Sequence, residues 1–184
     1  MIEEVLESGS MTLKSLDCIA FGCGPGSFTG LRITVGVVQG LAFGANLPVV
    51  PVSTLACMAQ GQFRMTGEER CLVAMQARQE EVYWGSYKLQ YGLMTKIGAE
   101  CVMQASEVSL PEPGTWFGVG NGWIHRPILE KALGEETLGI DVEALPHARD
   151  LISLAENDFL QGSHVDAEHA KPVYLRETVA QKSS

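Results

Sequence analysis

The sequence predicts an α/β fold. Apolar, strand-like runs are followed repeatedly by helical patterns, the signature of that class. A glycine-rich turn, Gly22-Cys23-Gly24-Pro25-Gly26-Ser27, stands between the first such run and a long apolar helix. Apolar residues make up 46% of the 184 residues, enough to bury a sizeable core in one domain or in a domain with a small lobe.

Taken in order, residues 1–9 read as the end of an amphipathic helix. Met1, Ile2, Val5 and Leu6 fall on one face, and Glu3, Glu4 and Glu7 fall mostly on another. A helix that starts at methionine with no cap ahead of it implies missing sequence upstream. Residues 17–21 form a short buried strand, the glycine turn follows, and a helix runs over 29–45 until Pro48 bounds it. Residues 47–52 are a second strand, kept short by two prolines. Ser53 or Thr54 can cap a helix through about residue 61. Residues 71–77 are a strongly apolar strand, and 81–89 are its hairpin neighbour, with Val82, Trp84 and Tyr87 packing inward. Beyond Gly92 the pattern gives strands near 99–103 and 116–119 and a short helix near 105–109. Helices near 123–133 and 147–160 follow, and the tail over 172–176 is extended.

Charge and cysteine usage exclude several classes. Net charge is −9, from 22 acidic and 13 basic residues, and no basic cluster is present, so a chain gripping nucleic acid by itself is excluded. The sparse basic stretches are Lys171 to Arg176 and Lys182. The five cysteines, Cys18, Cys23, Cys57, Cys71 and Cys101, are odd in number and lack a CxxC pair. That pattern fits neither a disulfide framework nor a zinc site and implies a reducing cytoplasm. Acidic residues occupy the place of a basic signal-peptide region. The most apolar stretch, 33–50, is broken by Gln39, Asn46 and Pro48, against a membrane span.

The turn and its helix carry the most information. Gly22, Gly24 and Gly26 permit close backbone approach, and Ser27 or Thr29 can accept from the first helical N–H groups. A phosphate could sit at such a helix start, but the Gly-Lys-Ser/Thr ending of a Walker loop and the longer dinucleotide pattern are both missing. A structural tight turn is the alternative. Along the helix Gly36, Gly40 and Gly44 recur every four residues, flanked by Val37, Val38, Leu41 and Phe43 on other faces. Each interior glycine costs about 1 kcal/mol against alanine, so some other backbone should approach this stripe. Spacing leaves two partners open: the chain's own sheet or residues 1–9, and a helix of another subunit. His164 and His169 beside Asp166 and Glu168 read as a solvated loop rather than a metal site, and no HExxH motif is present. Cys23 has no histidine base nearby in sequence, Ser27 lacks the Gly-x-Ser-x-Gly elbow, and Arg78 with Glu80 and Glu81 reads as an ion pair.

The run Gly24-Pro25-Gly26-Ser27-Phe28-Thr29-Gly30-Leu31-Arg32 resembles the signature of the TsaB (YeaZ) family. The resemblance continues through Gln39-Gly40-Leu41-Ala42, Val52-Ser53-Thr54-Leu55, Ala77-Arg78, Glu81-Val82-Tyr83-Trp84, Glu168-His169-Ala170 and Pro172-Val173-Tyr174-Leu175-Arg176. It implies the degenerate, two-lobed actin-like ATPase (ASKHA) fold, here with the first lobe incomplete because strands expected ahead of residue 1 are absent. Lobes over 1–77 and 78–184 are expected, with the tail able to return to the first. It further implies a cytoplasmic, non-catalytic subunit without cofactor or metal. Such a subunit binds a TsaD-type catalytic partner, is joined by a TsaE-type ATPase, meets tRNA only through the complex, and forms homodimers alone. The complex transfers threonylcarbamoyl to N6 of adenosine 37 in tRNAs reading codons that start with A. The implied contact set is Ile2, Val5, Leu6, Phe28, Leu31, Arg32, Gly36, Val37, Gly40 and Gly44, with Gly22, Gly24, Gly26 and Ser27 as the structural turn. Thr34 and Gln76 depart from residues common in the family, loosening the stripe and removing a carboxylate respectively. The competing readings are an ATP-using enzyme of the same fold and, against the cysteine usage, a secreted peptidase or growth factor.

Overall fold

The computed structural model describes residues 2–176; Met1 and Lys182, both used in the sequence reading, lie outside them. The chain clusters into two compact units, residues 1–54 with 148–172, and residues 55–147 with 173–184.

In the first unit, β1 (Ile19–Gly24) and β2 (Val49–Ser53) form a two-stranded parallel sheet joined by α2 (Phe28–Ala45). A parallel pair needs such a crossover. Alternation along β1 sends Phe21 and Cys23 toward α2, where they meet Val35, Val38 and Ala42 in a buried cluster. Cys18 and Ala20 have the opposite parity and share a groove with α5 (Ala148–Leu160), which packs on both strands. The short helix α1 (Ile2–Ser8) buries none of its residues. α2 ends where Asn46 takes a left-handed conformation (φ 55°) and Leu47 N–H returns to Ala42 C=O at 2.9 Å, closing the last turn before Pro48.

The second unit is built on a five-stranded sheet in the order β5-β4-β3-β6-β7. Its strands are β3 (Arg70–Gln76), β4 (Glu81–Gln90), β5 (Leu93–Gln104), β6 (Phe117–Val119) and β7 (Ile140–Asp141). β3 is the central strand of this sheet. Its residues Cys71 to Ala74 are fully buried, as a strand covered on both faces requires. One face is covered by α3 (Thr54–Thr66) through Leu55, Met58 and Ala59. The other is covered by Trp84, Trp116, Trp123 and, from α4 (Arg126–Leu133), Leu129 and Leu133. Trp123 Nε1–H donates to Leu72 C=O at 2.9 Å, which pins the ring over β6. A Cβ at Gly118 would lie 2.6 Å from Trp123 Cε2, so only glycine fits beneath that ring.

The structure corrects several element boundaries. β5 starts at Leu93, directly after Gly92, because Tyr91 (φ 52°) and Gly92 (φ 83°) make a two-residue hairpin turn. The pair Tyr-Gly is an inconspicuous turn signal, and the hairpin is held instead by Gln60. Its Oε1 accepts from Met94 N–H at 2.8 Å and its Nε2–H donates to Gly92 C=O at 3.4 Å. α3 runs five residues past the expected end at 61, to Thr66. The 123–133 helix splits into a 3-10 turn, Asn121–His125, and α4. β7 was not foreseen, being only two residues long.

Two outcomes follow from this core. Gly118→Ala should lower unfolding free energy in urea by about 1–3 kcal/mol, because the hydrogen-bonded indole cannot move aside. The second concerns the Cys71 thiol, which burial, with the Glu68 charge adding to it, pushes up from 9.0 to about 12. Below pH 9 the thiol is protonated in both folded and unfolded chains. Between pH 9 and about 12 the unfolded chain releases that proton and the folded chain retains it, so stability falls as pH rises. The slope from this group approaches about 1.4 kcal/mol per pH unit. Urea titrations of wild type and Cys71→Val should therefore diverge only above pH 9, with the variant losing less.

A glycine-striped helix face as the candidate interface

Ser27 starts α2: its Oγ accepts from Gly30 N–H at 3.3 Å. Ahead of it the chain turns at Gly24, whose φ of 118° is open to glycine and strained for other residues. Gly22 lies within β1 and not in the turn expected from sequence; its would-be Cβ stands 3.8 Å from Thr54 Oγ1, and Gly26 lies against Leu31.

From there the helix divides into two faces. Leu31, Val35, Val38 and Ala42 are buried and seat it on its own unit. Gln39 on the flank adds a bond from Nε2–H to Ala170 C=O at 3.0 Å. The opposite face carries Gly36, Gly40 and Gly44, and a Cβ at any of the three would meet nothing within 4 Å. The stripe therefore does not pack on the chain's own sheet, nor on α1. Of the two partners that spacing left open, the internal one is removed among the described residues.

The surrounding residues sharpen the contact set. Ile33 (63% exposed), Val37 (46%) and Phe43 (83%) lie on the glycine face, and Phe28 (56%) opens the helix with the Arg32 guanidinium 3.9 Å from its ring centre. Arg32 is the helix's only charged residue. On α1, Ile2 and Val5 are exposed and Leu6 is half-buried. Leu31, placed in the contact set from sequence, is buried and so belongs to the seating face instead. Val38, read as apolar surface, is likewise in the core, and Leu41 is half-buried. Positions 33, 36, 37, 40, 43 and 44 form one face of a 3.6-residue helix. Thr34 is half-buried beside that face and not on it.

α2 is long and apolar enough, by length and composition, to cross a membrane, and only 22% of it is buried within the chain. With one face committed to the core of its own unit, the helix presents an apolar outer face of unusual extent.

The remaining candidates resolve into structural roles. Glu81 holds Arg176 in a two-contact ion pair, so Arg78 is not its partner as the sequence suggested. Gln76 is tied by its backbone N–H to Asn121 Oδ1 at 2.9 Å. His164 stacks on Phe159 with ring centres 5.4 Å apart, and His169 lies 3.8 Å from Glu168. Among the described residues no three His, Cys, Asp or Glu side chains converge on a metal-sized site. Cys23 is buried, and burial raises the thiols of Cys18, Cys71 and Cys101, the reverse of nucleophile activation.

Comparison with known proteins places this geometry. The family model described as TsaD, tRNA N6-adenosine threonylcarbamoyltransferase, matches residues 1–183. The Escherichia coli (strain K12) protein called tRNA threonylcarbamoyladenosine biosynthesis protein TsaB is 41% identical, over 99% of this chain and 80% of its own length. Its Haemophilus influenzae counterpart of the same name is 36% identical, over 99% and 79%. The solved structure of YeaZ from Pseudomonas aeruginosa superposes with a TM-score of 0.89 at 45% identity, covering 95% of this chain and 82% of that one. The fold is thus of the actin-like ATPase type, in a chain spanning about four fifths of its relatives' length. With these matches and the signature at the start of α2, the chain belongs to the TsaB (YeaZ) family.

Proposed function

We propose that this chain serves the biosynthesis of threonylcarbamoyladenosine in tRNA as a partner subunit without catalysis of its own. The relatives that share its sequence carry that pathway in their names. In this reading the outer face of α2 docks on a TsaD-type catalytic subunit in the cytoplasm. A TsaE-type ATPase joins the pair, and tRNA is reached only through the assembly, in keeping with a net charge of −9. When the partner is absent, the same face pairs two copies. The lobe division at residue 77 belongs to this reading as well.

One observation carries the proposal: three glycines on an exposed helix face, with open space where each Cβ would stand. Each lowers helix stability by about 1 kcal/mol relative to alanine, and the chain's own packing gains nothing in return. A partner helix pressed against the stripe gains the close backbone approach that glycine permits. Phe28, Ile33, Val37 and Phe43 supply the apolar area around it.

The face separates folding from binding, and that makes it testable. Gly40→Ala should raise the unfolding free energy by about 0.5–1 kcal/mol, since alanine is the better helix former and its methyl meets no atom. Gly40→Trp should leave the fold intact by circular dichroism yet abolish co-elution with a TsaD-type subunit in size-exclusion chromatography. Undiminished co-elution would remove α2 from the interface. The enzyme reading is tested separately by calorimetry with ATP: the proposal expects no heat of binding from this chain alone.

A further inference from the structure

In the second unit β6 ends at Val119, in register with Val73, while β3 continues to Gln76. Ala77 N–H donates to Glu81 C=O on the β4 side, so Gln76 N–H, of opposite parity, points to the side that β6 has left. The Asn121 side chain stands in for the strand there: its Oδ1 accepts from Gln76 N–H at 2.9 Å. The next residue is pressed against the same strand. A Cβ at Gly122 would stand 2.8 Å from the Ala74 carbonyl carbon and 2.9 Å from both its oxygen and its Cβ, and backbone atoms do not yield. β3 thus demands a short acceptor at 121 and glycine at 122. Together the two demands write Asn-Gly, the dipeptide whose asparagine is chemically the least durable, because glycine puts no side chain in the way of ring closure. The chain's other asparagines, Asn46 and Asn157, precede Leu47 and Asp158, whose side chains hinder that closure.

We propose that Asn121-Gly122 is a self-modification site, whose reaction the fold holds off and an opening of this segment releases. In the first step the Gly122 backbone nitrogen gives its proton to hydroxide and attacks Asn121 Cγ. The new N–Cγ bond closes a five-membered succinimide, and the side-chain nitrogen leaves as ammonia. Water, which reaches the exposed Asn121, then opens the ring. Breaking the bond from nitrogen to Cγ gives aspartate. Breaking the bond from nitrogen to the main-chain carbonyl gives isoaspartate, the larger fraction, with the chain rerouted through Cγ. Attack requires the Asn121–Gly122 peptide to rotate until its nitrogen faces Cγ. In the folded chain Oδ1 is tied to Gln76 and Gly122 is wedged on Ala74. Trp123, next in the 3-10 turn, is held by its bond to Leu72 C=O and lies 6.1 Å from the Trp84 ring. Isoaspartate adds a main-chain carbon ahead of Gly122, so the acceptor at 121 and the indole at 123 no longer fit β3 together. The mark is one-way: ammonia is lost, and the marked chain closes less firmly than before.

The experiment uses the 184-residue chain, held folded or unfolded in urea in the same mildly alkaline buffer. Peptide mapping by mass spectrometry follows asparagine, aspartate and isoaspartate at each site. In urea residue 121 should convert while Asn46 and Asn157 persist. In the folded chain the same conversion should be at least about a hundredfold slower, the equivalent of an opening free energy of about 2.8 kcal/mol. Asn121→Gln, measured in urea where folding plays no part, should remove the signal, since its longer side chain must close a six-membered ring. After return to native buffer, isoaspartate chains should be cut by protease at least about tenfold faster than unmarked ones, because cleavage follows the population of opened chains. Residue 121 surviving in urea as long as Asn46 and Asn157 would overturn the site. Suppression by folding of less than about a hundredfold would overturn the gating, and marked chains as protease-resistant as unmarked ones would overturn the one-way effect.

Discussion

Everything that α2 presents outward is set by how it is held inward. Leu31, Val35, Val38 and Ala42 recur at helical spacing on one buried face, the last three of them in a cluster with Phe21, Cys23 and Val49. Ala167 and Ala170 close that cluster from the C-terminal side, and Gln39 reaches Ala170 C=O to fix the rotation of the helix about its axis. Small residues at 42, 167 and 170 allow the close approach. Once this face is seated, a residue about 180° away has nowhere to point but solvent. The glycine stripe lies there, with Ile33, Val37 and Phe43 beside it.

The energetics of that stripe run against the stability of the isolated chain. A domain of this size is stable by about 5–15 kcal/mol. Three helix-interior glycines at about 1 kcal/mol each are a sizeable fraction of such a margin. Elsewhere in the chain tight glycines are explained by what lies over them, as Gly118 is by the Trp123 ring. At Gly36, Gly40 and Gly44 nothing lies over them. Nothing among the described residues of the chain itself offsets that cost.

The two units use their strands differently. The five-stranded sheet covers β3 on both faces and pairs it on both edges, so its apolar run is satisfied internally. The two-stranded sheet pairs β1 with β2 alone among the described residues.

The α/β class, the order of most elements and the helix after the glycine turn were legible in the residues. Local chemistry determines them: Ser27 caps, glycine permits Gly24 its positive φ, Pro48 stops a helix, and period-two or period-3.6 patterns choose strand or helix. Family membership was legible too, through motifs spread over nearly the whole chain. What the sequence could not decide was direction. Spacing alone does not say which side of α2 faces the core: Leu31 and Val38 are buried in it, while Ile33 and Phe43 are exposed. Nor does it say which acid an arginine finds: Glu81 took Arg176 from ninety-five residues away rather than neighbouring Arg78. These are long-range choices, made by which surfaces bury the most apolar area together, and only the assembled tertiary structure contains that comparison.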